Sequence, residues 1–320
     1  MSLQVNKSTL DLQFSNNAQT QLLTRRGTTY YVDAVSGVDT RLGKSWRKAF
    51  LTMAKAFSVV GSGDTIVFSG KIREQLETPA GIFDVSVIGA GNRPRHADTH
   101  PTATSGKAAA TWTTPASPTA ATPLVRVQQQ GWLFENILFA GPTDAHALNA
   151  SIELYRTDEA LLSGTVERDA SHLTVQHCRF ASGYKHINDV GGCYGVKIAH
   201  NEFVSHVLWA ILGVGNIGVG QSHWDIVGND FDSNAVATAN HVKIAGFACR
   251  IHENTFDDGG APDTTVVLNT NNGGGANNRV WNNHFQTVTG SFNPPDVVGA
   301  ATDFWNPNYS FDTLETGIPA

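Results

Sequence analysis

The sequence predicts an all-β solenoid in which short parallel strands stack coil upon coil, and three observations carry that prediction. First, one pattern recurs: two alternating apolar residues, a two-residue gap, an Asn, one polar residue and a Phe. It occupies residues 196–203 with Asn201, 224–231 with Asn229 and 249–256 with Asn254. Weaker copies run over 278–285 with Asn283, over 173–180 with Cys178 in the Asn slot, and over 133–138 with Asn136 and with Leu138 for Phe. Second, the slots from Cys178 onward are 23, 28, 25 and 29 residues apart, a period that means stacked units with variable loops. Third, the stretches between slots are rich in Gly, Asn, Val and Ile, and no helical pattern of ten residues or more follows residue 60. Ankyrin-type helical repeats are thereby excluded.

Each unit begins with period-2 alternation, as in Leu173, Thr174, Val175 and in Val196, Lys197, Ile198, which sends the apolar members to one interior. Asn then turns the chain, because it tolerates the left-handed region and bonds neighbouring backbone. Phe starts a second inward face. Such a unit cannot bury its apolar side alone and must stack on copies of itself about 4.8 Å apart. Asn residues repeated at one corner can then form a ladder along the stack.

The elements follow in order. Residues 1–27 are polar and rich in Asn, Gln and Thr, and read as an extended arm that anchors the body. Residues 28–62 hold a first strand at Tyr30 to Asp33 and an amphipathic helix over 46–57. Ser45 is its N-cap, Trp46, Phe50, Met53 and Phe57 share its apolar face, and Gly61 ends the segment. A helix there would cap the open end of the solenoid, which otherwise exposes strand edges. The β-helix is expected over 63–292, with insertions at 92–123 and 141–170. Residues 293–320, rich in Pro and aromatics, are expected to cover the other end.

The 320 residues include 31 Gly, only 2 Met and 16% charged residues, a composition that suits a turn-rich β protein. A net charge of −6 and no dense Lys/Arg stripe argue against a nucleic-acid partner. No apolar run approaches the roughly 18 residues of a membrane span, and the first residues lack the blocks of a secretory signal. Cys178, Cys193 and Cys249 are odd in number and have no metal spacing, so they read as small core thiols of a chain made in a reducing cytoplasm.

Several local motifs carry a family likeness: Tyr30, Tyr31, Val32 and Asp33; the Gly37, Val38, Asp39 turn; Ser45 and Trp46; Ala49 and Phe50; Gly63, Asp64, Thr65 and Ile66; Arg73 and Glu74. Together with the Asn-bearing coils, they resemble the pectate-lyase-like superfamily over roughly residues 28–290. The resemblance implies a single-stranded right-handed parallel β-helix with an N-terminal amphipathic capping helix. The segments 89–95 and 130–137 look like bacteriophage and prophage β-helix proteins. The superfamily includes pectate lyases, polygalacturonases, tailspikes, depolymerases and non-catalytic virion proteins, so fold alone does not choose a function.

The lyase pattern of calcium held by clustered carboxylates with an Arg base is not legible, nor are the neighbouring Asp residues of polygalacturonases. No metal or cofactor is expected, calcium entering only if the protein is a lyase. The candidate binding residues lie on strands following each Phe: Lys185, His186 and Asp189, then His206 and Trp209, then His241 and Lys243. In register, His186, His206 and His241 form a column with Trp209 and Lys243 nearby. An aromatic and polar sheet face suits a sugar, and imidazole beside carboxylate suits acid–base work.

Two readings follow. One is a bacteriophage virion surface protein (decoration, fibre or tailspike-like), joined to other virion proteins through its arm and binding glycans; a homotrimer is family reasoning. The alternative is a polysaccharide lyase or glycoside hydrolase acting on an acidic or capsular glycan. An inverting pair of carboxyls would then sit roughly 6.5–9.5 Å apart.

Overall fold

The structure is a computed structural model that describes residues 27–91, 110–143, 149–157, 168–213, 221–232, 240–257, 268–270, 276–286, 297–298, 302–305 and 308–310. Among them, strands form a ten-stranded and a sixteen-stranded sheet, and every pairing between named strands is parallel. The first sheet runs Thr29–Asp33, Thr65–Ser69, Ser86–Gly89, Leu133–Glu135, Thr174–Gln176, Lys197–Ala199, Asp225–Val227, Arg250–His252, Arg279–Trp281 and Phe304–Trp305. The larger sheet folds into two faces, bridged by the long strand Arg179–Asp189. Its second face carries Leu138–Ala140, Glu202–Phe203, Asp230–Phe231, Thr255–Asp257 and His284–Gln286. Its third face carries Val125–Val127, Ile152–Leu154, His206–Gly213 and Asn240–Ile244. The chain visits the three faces in turn and returns one coil along, which defines a parallel β-helix.

The core is built of columns. In the first sheet Ile66, Val87, Phe134, Val175, Ile198, Ile226, Ile251 and Val280 align in register, all fully buried. On the second face Phe139, Phe180, Phe203, Phe231, Phe256 and Phe285 stack with centroids 4.7–5.0 Å apart and planes within 12°. That spacing is the strand spacing itself. Burying one such ring contributes about 2–3 kcal/mol, so the column is a main source of stability.

The corner between the first and second faces holds the expected Asn ladder. Oδ1 of Asn229 accepts from the backbone N–H and Nδ2 of Asn201, at 2.9 and 3.0 Å. Asn254 does the same for Asn229, Asn283 for Asn254, and Asn308 for Asn283. Each Nδ2 also donates back to a strand carbonyl, such as that of Ile198 or Ile226. The turn is made by the residue before the Asn, with positive φ at His177, His200, Gly228, Glu253 and Asn282. Glycine is needed at 228 for a second reason, since a Cβ there would lie 2.5 Å from Nδ1 of His200.

The structure departs from expectation in four places. Leu133–Glu135 pairs with Thr174–Gln176, and Phe139 pairs with Phe180, so Ile137 and not Asn136 fills the ladder slot and Phe139 rather than Leu138 joins the Phe column. The helix over 46–57 is split into a 3-10 turn, Trp46–Lys48, and a five-residue α-helix, Met53–Phe57, capped by Thr52. Phe50 is taken by the sheet instead: its N–H donates to Tyr31 and its carbonyl accepts from Asp33. Met53, Ala56 and Phe57 join the core, with Phe57 edge-on to Trp112 and Trp132. Strands Thr111–Thr113 and Ile152–Leu154 lie within the stretches expected as insertions, and Trp112 is fully buried. Finally, Phe304–Trp305 and Tyr309–Ser310 extend the sheets, so this part of the tail adds a coil. The expected arm lies outside the described residues except for Gly27. No helix among them is long and apolar enough to cross a membrane.

Candidate functional site on the third face

On the third face the alternation of Ile152, Glu153 and Leu154 turns the two apolar side chains into the core and leaves Glu153 on the outer side. Val125, Arg126 and Val127 do the same for Arg126. Register aligns Glu77, Arg126, Glu153, Asn188, Leu212 and Lys243 in one outer row. Arg126 donates from Nε to Glu153 Oε1 at 2.6 Å and from its guanidinium to Glu77. Lys185 Nζ donates to Asn188 Oδ1 at 3.3 Å.

The middle of this row is screened from solvent. Glu153 is 0% exposed and Lys185 4%. Burial pushes the Glu153 carboxyl above its ordinary range, against the pull of Arg126 and Lys185. Burial likewise pushes the Lys185 amine down, opposed by Glu153. Around this pair lie cation–ring contacts: Arg126 and Arg168 over Tyr155 at 5.6 and 5.5 Å, and Lys243 over Trp209 at 5.6 Å. Burial thus shifts the carboxyl and the amine toward their neutral forms, against the charges that face them. The surrounding cations and the half-buried Tyr155 can meet a polyhydroxylated ligand, whereas Trp209 is itself only 8% exposed.

Of the residues expected from sequence, Lys185, Trp209 and Lys243 belong to this neighbourhood, with Lys185 paired to Trp209 in register. The histidines do form a column, with His186 to His206 at 5.5 Å and His206 to His241 at 5.2 Å. It lies inside the core, however, and this corrects the outward placement. All three are at most 1% exposed, and they pack on Phe180, Phe203, Phe231 and Phe256. The cause is local. The register shifts between Gly183 and Lys185, and Ser205 takes a φ of 54°, so the alternation counted from Phe180 and from Phe203 is broken before His186 and His206. His186 Nε2 lies 3.0 Å from the Val204 carbonyl, which can only accept, so Nε2 carries the proton. Burial pushes the His186 pKa down to about 3.

Asp189 is also turned inward, at the end of its strand. Its carboxylate accepts from the backbone of Gly191, Gly192 and Cys193 at 3.0–3.1 Å and from Gln221 Nε2 at 2.7 Å. It therefore ties a turn to the next coil and does not face a ligand. Sequence reasoning missed Glu77, Arg126, Glu153 and Asn188. The available signal was a charged residue flanked by two apolar ones, in Val125-Arg126-Val127 and Ile152-Glu153-Leu154. No group of three His, Cys, Asp or Glu residues among those described is placed to hold a metal ion.

No family model matches the sequence, and no curated protein matches it either. Solved structures do. A pectate lyase from a Bacillus species, in complex with trigalacturonate, superposes with a TM-score of 0.52 at 15% identity, covering 92% of this chain and 84% of that one. Pectate lyase Pel9A gives 0.50 at 13% identity, covering 88% and 76%. The Dettilon tailspike protein gives 0.37 at 12% identity, covering 88% and 68%. The chain is thus a parallel β-helix protein of the pectate-lyase-like fold. At these identities the likeness is one of fold, and the chemistry rests on the chain's own residues.

Proposed function

We propose that the protein is a glycan-engaging β-helix of a bacteriophage virion surface, with the outer side of its third face as the contact surface. The observation that carries the glycan reading is the set of cation–ring pairs, Lys243 over Trp209 and Arg126 with Arg168 over Tyr155, beside buried polar groups. Rings stack on the apolar faces of sugars, and the cations and amides meet hydroxyls and carboxylates. A fold mate that carries an oligouronate is consistent with this use of the scaffold. The virion reading is supported by the polar stretch 1–27, suited to joining other virion proteins, and by the phage-like segments 89–95 and 130–137. Under this reading the protein is made in the host cytoplasm, and a homotrimer rests on the likeness to viral β-helices alone; a secreted protein is the alternative location.

On a glycan array the wild-type protein is expected to retain a defined subset of acidic polysaccharides. Trp209→Ala with Lys243→Ala should weaken that binding at least about tenfold, the effect of losing roughly 1.4 kcal/mol, with the β-sheet circular dichroism unchanged. Equal binding by the double variant would remove the third face from consideration. Labelling of intact phage particles by antibodies to the protein tests the virion assignment separately.

The buried Glu153–Lys185 pair supports a second reading, a polysaccharide lyase or glycoside hydrolase. Glu153→Gln keeps the shape and an acceptor for Arg126 but removes the titrating proton. If the protein cleaves glycans, this change is expected to lower kcat by about 100-fold or more. Reducing-end release and the ultraviolet absorbance of unsaturated ends are the measurements. Undiminished cleavage by Glu153→Gln would exclude Glu153 as the acid.

A further inference from the structure

The end of the first sheet carries a feature that the third-face reading does not use. A depression of about 660 Å³ lies on its outer side, lined by Asn277, Asn278, Arg279, Trp281, Thr302 and Phe304. That volume is within the range of small-ligand sites. We infer that it is a second binding site, for a pyranose unit bearing a carboxylate.

Three properties of the lining point to that ligand. Trp281 is held flat: its ring stacks on His252 at 4.2 Å with planes 6° apart, and His252 is fixed by Asp225 Oδ1 at 3.2 Å from Nε2. A ring positioned before the ligand arrives loses little entropy on binding. Phe304 is 59% exposed, an uncommon position for a phenylalanine on a strand, and it pairs in register with Arg279. Together these rings offer an apolar platform to the C–H face of a sugar.

The charge is the third property. Arg279 makes no ion pair among the described residues. Of the nearby carboxylates, Asp225 pairs with Arg250 and His252, Glu253 lies 3.5 Å from His252 Nδ1, and Asp303 bonds Asn278 and Thr270 through both of its oxygens. A guanidinium with no ion pair among the described residues, set beside two rings, favours an anionic ring, and its planar fork fits a carboxylate. Asn277 and Thr302, both exposed, supply donors and acceptors for hydroxyls.

The test is a titration of the full chain with methyl β-D-glucuronide and methyl β-D-glucoside, read by saturation-transfer NMR. The glucuronide is expected to bind saturably in the millimolar range, about five- to tenfold tighter than the glucoside, as one charge-assisted bond implies. Arg279→Gln should bring the two affinities together, and Trp281→Ala should abolish both. Phe304→Ala, at the most exposed ring of the site, should weaken both even if the Trp281 variant misfolds. Arg279 and Trp281 lie outside the third face, so this titration and the Trp209 and Lys243 array experiment can fail separately. The inference is overturned if neither sugar binds, if both bind equally, or if Arg279→Gln keeps the preference.

Discussion

Replacing Asn254 with leucine is expected to destabilise the β-helix by roughly 3–5 kcal/mol, although the two side chains share the same branched skeleton of heavy atoms. Asn254 is fully buried at the centre of the ladder. Its Oδ1 accepts from the backbone N–H and Nδ2 of Asn229, and its Nδ2 donates to the Ile226 carbonyl and to Asn283 Oδ1. Leucine leaves the Asn229 N–H and one Nδ2 hydrogen of Asn229 without their acceptor in a dry corner. Each unmet polar group costs about 1–3 kcal/mol. Asn254→Asp should also fail: it keeps the acceptor but sets an oxygen against the Ile226 carbonyl and Asn283 Oδ1, and it buries a charge.

The chain contains its own control. Cys178 occupies the same slot one coil before Asn201, and its N–H is still satisfied by Asn201 Oδ1 at 2.9 Å. The neighbour before it is Ile137, whose side chain has no amide to be received, so the ladder can end in a thiol. Cys178→Ala is accordingly expected to cost no more than about 1.5 kcal/mol. Urea unfolding followed by circular dichroism measures both variants. An Asn254→Leu protein within about 1 kcal/mol of wild type would show that the ladder marks register without stabilising it.

The columns were legible in the sequence because they depend only on spacing within a unit. From Cys178 onward the Asn slot and the Phe two residues later meet one partner in the next coil, whatever the loop between them. The earlier copy was misaligned by one residue, since Asn136 and Leu138 imitate the pattern while Ile137 and Phe139 fill it. The helix over 46–57 failed for a different reason. Its apolar spacing is helical, but the backbone of Phe50 is claimed by Tyr31 and Asp33, and tertiary pairing overrides local propensity.

The candidate site was less legible. Lys185, Trp209 and Lys243 emerged because they follow each Phe, but the same count placed the histidines on the wrong side. Strand parity does not survive a register shift at Gly183 or a left-handed residue at Ser205. The ionic row was invisible because its members are far apart in sequence: Glu77 lies 49 residues before Arg126, and Glu153 lies 27 after it. Only the stacking of coils brings them together.

The inward histidine column gives the fold a specific response to acid, through His186. Its pKa falls from an ordinary 6.5 to about 3 on folding, because burial disfavours the charged ring. Above pH 6.5 neither state binds a proton there, and stability is unaffected. Below it the unfolded chain takes up a proton that the folded chain does not, so stability falls by about 1.4 kcal/mol per pH unit, or roughly 2–3 kcal/mol by pH 4.5. Asp189 and Glu153 act with the opposite sign. Their carboxyls are raised on folding, so they favour the folded state as pH falls toward the ordinary carboxylate range. The His186 contribution therefore has to be isolated by difference. His186→Phe suits this purpose, because the imidazole already packs on Phe180 and Phe203 at 5.3 and 6.0 Å. Losing the bond to the Val204 carbonyl adds an offset that does not change with pH. The gap between wild-type and variant stabilities should be level above about pH 6.5 and shift steadily in favour of the variant below it, by close to one proton per molecule. A gap that stays constant down to about pH 4.5 would mean that the folded protein accommodates the imidazolium, which a core of stacked phenyl rings cannot do without opening.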